Sequence, residues 1–155
     1  MIILGIDPGS TRAGYGVVRK EAERFSLIAA GILEVTAPEK HRRLVELERS
    51  FQKLLEGVRP DVAVIEQLYF SRNLKTALEV AQSRGVLILL VAKKDIPLLE
   101  YTPLEIKQTI TGYGMSDKQA VARAVARLLR LEHPPEPDDA TDALAAAIMG
   151  GLTFR

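Results

Sequence analysis

Residues 4–18 read LGIDPGSTRAGYGVV. An apolar run from Ile2 to Ile6 ends in a single carboxylate, Asp7, and Pro8, Gly9, Gly14 and Gly16 follow within ten positions. Short β-branched runs bounded by Gly and Pro are strands. The stretch therefore predicts one strand over Ile2–Ile6 and a second over Tyr15–Arg19, with Leu27–Val35 as a third in an antiparallel meander. An acid at a strand exit can simply cap a turn that glycines tighten. Alternatively, Asp7 carries chemistry at a sheet edge, and the glycines bare the backbone so that a bulky substrate can approach it.

Beyond Pro38 the period changes. Leu44, Leu47, Phe51, Leu54, Leu55 and Val58 recur at three- and four-residue spacing, the mark of a helix with one buried face. GVRPD stops that helix, and VAVIE (Val62–Glu66) is a short strand. A helical crossover returns such a strand parallel to the first, so it can lie beside Ile2–Ile6. An Ala-, Leu- and Val-rich helix follows from Asn73, its N-cap, to about Val91, and PLLEYT holds a short strand. TPLE predicts a helix capped by Thr102, with Pro103 first, Glu105 as reciprocal partner and Gly112 at its far end. SDKQ repeats the box with Ser116 and Gln119 ahead of AVARAVARLL. No helix crosses EHPPEP, and DDATDALAAAIMGG forms the last one. The order β-β-β-α-β-α-β-α-α-α predicts a single α/β domain over 1–155.

The totals narrow the chemistry. The 155 residues contain no cysteine, which excludes disulfides, thiolate catalysis and cysteine-based metal sites. No apolar run approaches a membrane span, and no secretory signal opens the chain, so a cytoplasmic protein without a membrane partner is expected. Net charge is only +1, but it is unevenly spread. Between Ser71 and Asp95, Arg72, Lys75, Arg84, Lys93 and Lys94 face only Glu79 and Asp95. Between Tyr101 and Arg130, Lys107, Lys118, Arg123, Arg127 and Arg130 face only Glu105 and Asp117. Two basic segments can track phosphates, or form part of a mixed solvated surface. His41 and His133 have no acid at ligand spacing and read as surface residues.

If strands one and four are parallel neighbours, Asp7 and Glu66 emerge side by side, with about 4.8 Å between strands. Without a cation the two acids repel, and one stays protonated. Asp139 and Asp142, three apart, share a helix face. The helix dipole favours an early acid. Three acids at 138, 139 and 142 repel one another, and a divalent cation with hard oxygen ligands resolves that conflict.

IDPGSTRAGYGVV, VAVIEQLYFSRN, AQSRG, YTPLEIKQTITGYGMSDKQAV and DDATDALAAAI, in this order along nearly the whole chain, resemble the RuvC family of Holliday-junction resolvases. The resemblance implies an RNase H-like fold with a five-stranded mixed sheet in the order 3-2-1-4-5, flanked by helices. It also implies a homodimer that resolves four-way DNA junctions by paired nicks, leaving 5′-phosphate and 3′-hydroxyl ends, in partnership with the RuvA/RuvB branch-migration complex. The family's catalytic and metal-binding acids fall on Asp7, Glu66, Asp139 and Asp142 here, with Asp138 ranked behind Asp139. They imply two Mg²⁺ ions about 3.5–4 Å apart, with Mn²⁺ able to substitute. Lys107 and Lys118 match lysines that contact phosphate, and Tyr69 matches an aromatic that stacks on unpaired bases. Phe70, Arg72 and Asn73 complete the implied DNA-binding set. Three other readings remain open on the residues alone: an RNase H-like nuclease that processes RNA (YqgF-type), an actin-like nucleotide-binding fragment, and a silent junction-binding module.

Overall fold

The computed structural model describes residues 1–68 and 74–154. Tyr69, Phe70, Arg72 and Asn73, with the stacking, DNA contacts and helix cap expected of them, lie outside the described residues. The elements are β1 (Ile2–Asp7), β2 (Arg12–Glu21), β3 (Arg24–Glu34), α1 (Lys40–Val58), β4 (Val62–Glu66), α2 (Leu74–Lys93), β5 (Leu98–Tyr101), α3 (Pro103–Thr111), α4 (Lys118–Leu129) and α5 (Asp138–Thr153). They form one sheet in the order β3-β2-β1-β4-β5, as the resemblance implied. β1 and β2, like β2 and β3, are antiparallel, whereas β1–β4 and β4–β5 are parallel. That is the mixed, RNase H-like α/β sheet with helices on both faces.

Two apolar layers sandwich this sheet. Ile3, Val62 and Val64 pack with α3, α4 and α5, while Leu4, Ile6, Ala63 and Ile65 pack with α1 and α2. Side chains alternate across a strand. Counting on from Ile3 and Gly5 puts Asp7 on the α5 face, and counting on from Val62 and Val64 puts Glu66 there too. Ile6 is in register with Ile65, so the two acids leave the sheet as neighbours. β-Strand alternation thus aims both carboxylates toward one helix.

That helix lies unusually close. A Cβ on Gly5 or Gly14 would collide with the carbonyl oxygens of Ala143 and Asp139, and one on Gly16 would stand 2.6 Å from Leu144 N. α5 answers with Ala143, Ala146 and Ala147, all buried. This corrects the expectation that the glycines after Asp7 bare a loop for substrate. β2 begins at Arg12, earlier than Tyr15, so Gly14 and Gly16 are strand residues on which α5 rests. Gly9 alone belongs to the connecting turn, where the Arg12 carbonyl leaves no space for a Cβ.

Helix ends follow local chemistry. Thr102 and Glu105 make the expected reciprocal box, Glu105 N donating to Thr102 Oγ1 at 3.2 Å and Thr102 N to Glu105 Oε2 at 2.7 Å. Gly112 ends α3 in the left-handed region at φ 82°. The box expected from Ser116 and Gln119 does not form. Asp117 caps α4 instead, its Oδ1 accepting from Ala120 N at 2.7 Å. With the cap at 117 the reciprocal position falls on Ala120, so Gln119 cannot close a box, and Ser116 Oγ pairs with Thr111 Oγ1 at 2.7 Å. α5 starts at Asp138 behind Pro137, so its first turn holds Asp138 and Asp139, and Asp142 lies one turn further in.

Gly16→Ala should lower stability by about 3 kcal/mol, because backbone on both sides must move. Gly57→Ala, a helical position with open space around it, should instead raise stability by about 0.5–1 kcal/mol. Urea midpoints at unchanged m-values check both.

Candidate active site

Four carboxylates gather where β1 and β4 end against the N-terminal half of α5. Their electrostatics record the convergence. Burial first, then the charges of Glu66, Asp142 and Asp139, push Asp7 up to about 8. Burial and the charge of Asp142 push Glu66 up to about 7, against the pull of Lys107 and Lys118. Asp142 is also raised, mainly by burial and by its neighbours Asp138 and Asp139. Asp138 itself is exposed, at 76% of its side chain, and stands outside the buried group.

Cations rim this acidic pocket. Lys118 Nζ lies 3.6 Å from Asp142 Oδ2 and 3.7 Å from Asp138 Oδ2, and the Asp142 charge holds its ammonium above the usual range. Lys107, Lys118, Glu66 and Asp142 share a cleft of about 180 Å³ floored by Ile106 and Val121. The structure therefore brings together Asp7, Glu66, Asp139, Asp142, Lys107 and Lys118.

Two arginines serve the same site: Arg12, which the sequence left without a role, and Arg84, which counted there only in a basic segment. Arg12 Nε stands 2.5 Å from Asp139 Oδ2. That oxygen is nonetheless buried and has no hydrogen-bond partner of acceptable geometry among the described residues. Arg84 reaches from α2, donates from Nε to the Glu66 carbonyl at 3.2 Å, and also pairs with Glu100 on β5. It holds the end of β4, and hence the Glu66 backbone, from the opposite side of the sheet. The sequence signal for Arg84 was its place inside AQSRG. Nothing comparable marked Arg12.

The donor set fits a hard divalent cation: half-buried carboxylates in mutual repulsion, two of them holding their protons to near-neutral pH. As they stand, no three acidic or imidazole groups among the described residues enclose a single ion. Asp142 faces Lys118 and Asp139 faces Arg12, so these cations neutralise two of the acids.

A family profile described as "Crossover junction endodeoxyribonuclease RuvC" matches residues 3–150. The chain belongs to the RuvC family. It is 44% identical over 156 aligned residues to the crossover junction endodeoxyribonuclease RuvC of Petrotoga mobilis, covering all of this chain and 95% of that one. The RuvC of Syntrophomonas wolfei is 45% identical, at 100% and 91% coverage. Thermus thermophilus RuvC in complex with a Holliday junction substrate superposes with a TM-score of 0.90 at 30% identity, covering 97% of this chain and 93% of that one. The yeast mitochondrial Holliday junction resolvase shares the fold at a TM-score of 0.69 and 16% identity, over 95% of this chain and 77% of that one. RuvC membership implies dependence on a divalent metal. The RNA-processing and actin-like alternatives are not favoured.

The raised acids have a measurable cost. Free carboxyls titrate near 3.8 and 4.5, so between about pH 4 and pH 8 the folded chain retains protons that the unfolded chain has released. Their contribution to stability is therefore lost as pH rises through that window. Asp7→Asn removes one repelled charge. Its thermal midpoint without divalent ions should converge on that of the unaltered chain toward pH 4, exceed it increasingly up to about pH 8, and then level off. A constant difference across that range would contradict the assignment.

Proposed function

We propose that this chain is a structure-selective endodeoxyribonuclease that resolves four-way DNA junctions by paired, symmetric nicks, in recombination and DNA repair. The observation that carries this reading is the convergence of Asp7, Glu66, Asp139 and Asp142 at one sheet edge beside Lys107 and Lys118, in a chain of the RuvC family. Residues 1–155 act as one nuclease domain, in the cytoplasm where the junctions arise.

Asp7, Glu66, Asp139 and Asp142 would together hold the Mg²⁺ ions, two in number on this reading, and Mn²⁺ would substitute. Bound there, the ions would supply activation of water and neutralisation of charge on the scissile phosphate. The chain's own residues do the rest. Lys107 and Lys118 give their ammonium groups to the phosphate, which requires Lys118 to leave Asp142 and Asp138. Arg84 keeps the Glu66 backbone in place, and Arg12 restrains Asp139. Tyr69, Phe70, Arg72 and Asn73, immediately beyond Glu66, are assigned to the crossover, with Tyr69 stacking on its unpaired bases. The cut leaves 5′-phosphate and 3′-hydroxyl ends.

Paired nicks need two active sites, and a four-way junction has near two-fold symmetry. A homodimer meets both conditions. The outer face of α2 is the surface we assign to it: Leu78 is 66% and Leu89 54% exposed, with Ala81, Gly85 and Ala92 between and beyond them. An apolar stripe of that kind is poorly suited to solvent. The RuvA/RuvB branch-migration complex is the expected further partner.

Asp7→Asn should cut a labelled synthetic four-way junction at least 10³-fold more slowly in Mg²⁺, while binding it within a few-fold of the unaltered chain. Linear duplex and RNA–DNA hybrid should resist cutting; equal cutting of the hybrid would favour an RNA-directed nuclease. Leu78→Glu with Leu89→Glu should shift the mass in light scattering from twice the 17.0 kDa of one chain to that of a single chain. Junction nicking should then lose its pairing.

A further inference from the structure

α4 carries a charge pattern that the acidic site does not use. Its buried residues are Val121, Ala124, Val125, Ala126 and Leu129. Its outward stripe is Gln119, Arg123 and Arg127, continued by the C-cap Arg130, and no residue of Lys118–Leu129 is acidic. Arg123, Arg127 and Arg130 are exposed, and none of the three pairs with a carboxylate among the described residues. Like charges four apart destabilise a helix. The helix dipole compensates cations in the last turn, which accounts for Arg127 and Arg130. It offers nothing to Arg123 in the middle of the helix, and it does not explain why all three are arginine.

The direction of the stripe separates it from the metal-binding acids. At 100° per residue, Arg123 and Arg127 lie about 140° and 180° around α4 from Lys118, the residue that touches Asp142. With a rise of about 1.5 Å per residue the three guanidinium stems span roughly 10 Å along the axis. Each strand of a duplex presents a phosphate every ~3.4 Å of helix axis, so a span of that length faces about two to three of them. Beside the stripe runs a groove of about 370 Å³, into which Arg123 and Arg127 project with Thr111 and Ser116. Planar forks and hydroxyls are phosphate-recognising groups.

We propose that this stripe is a second DNA-contact surface, which grips the sugar-phosphate backbone of a junction arm away from the scissile phosphate. The proposal rests on the resolvase reading and extends it: the acids and lysines cut, and α4 holds the arm. An acidic protein surface is the competing occupant, and it would leave DNA binding untouched.

The test is binding of a synthetic four-way junction in EDTA, read as log Kd against log salt, for the chain with Arg123→Gln, Arg127→Gln and Arg130→Gln. Loss of two to three phosphate contacts should make the slope shallower by roughly 2–3. It should also weaken binding about tenfold or more at 0.15 M salt. A second triple variant, Arg42→Gln, Arg49→Gln and Lys53→Gln, removes equal charge from α1 and should move the slope by less than 1. An unchanged slope in the α4 variant, or equal changes in both, overturns the proposal. Matching circular dichroism and thermal midpoints establish that each variant is folded. Mg²⁺-dependent junction cutting by the unaltered chain, run alongside, reads the resolvase assignment separately.

Discussion

The site is organised around a repulsion. Four carboxylates are drawn out of water and toward one another at the exit of β1 and β4, and burial is the first cause of the rise in Asp7 and Glu66. A buried charge without a partner is among the costliest features a fold can retain. Here the cost is partly offset by Lys118 and Arg12, which answer Asp142 and Asp139, and partly by protons. On the function proposed above, those two cations are what metal ions and the substrate phosphate would displace.

Holding such a cluster together needs a rigid frame, and the frame is the seat of α5 on the sheet. Gly5, Gly14 and Gly16 on the strands and Ala143 and Ala147 on the helix let backbone meet backbone. A helix so close has little freedom to rotate, so the position of Asp139 and Asp142 follows from contacts one and two turns further along. From the other face Arg84 fixes the Glu66 carbonyl, which links the acidic cluster to α2, the helix with the exposed apolar stripe.

Much of this was legible in the sequence because it is local or topological. Strand periodicity and one helical crossover placed Asp7 beside Glu66, and the three-residue spacing of Asp139 and Asp142 placed them on one face. The capping box at Thr102 is a short-range code and was read correctly. What escaped depends on contacts distant in sequence. The first residues of β2 lack apolar alternation, so Gly14 was assigned to a loop, and its true neighbour, the Asp139 carbonyl, was invisible until α5 was in place. The cap of α4 moved by one residue because two adjacent hydroxyl and carboxylate side chains compete for the same role. Arg12 pairs β2 with α5 and Arg84 pairs α2 with β4, contacts between elements far apart in the chain that no spacing rule reaches.

The central claim is that protons stand in the acidic cluster where divalent cations belong. Isothermal titration of Mg²⁺ or Mn²⁺ into the protein, repeated in buffers of different ionisation enthalpy, counts the protons released on binding. With Asp7 and Glu66 raised to about 8 and 7, the account predicts substantial proton release at pH 7, declining toward pH 9 and much reduced in Asp7→Asn. Metal binding without proton release at any pH, or with release unaffected by Asp7→Asn, would contradict it.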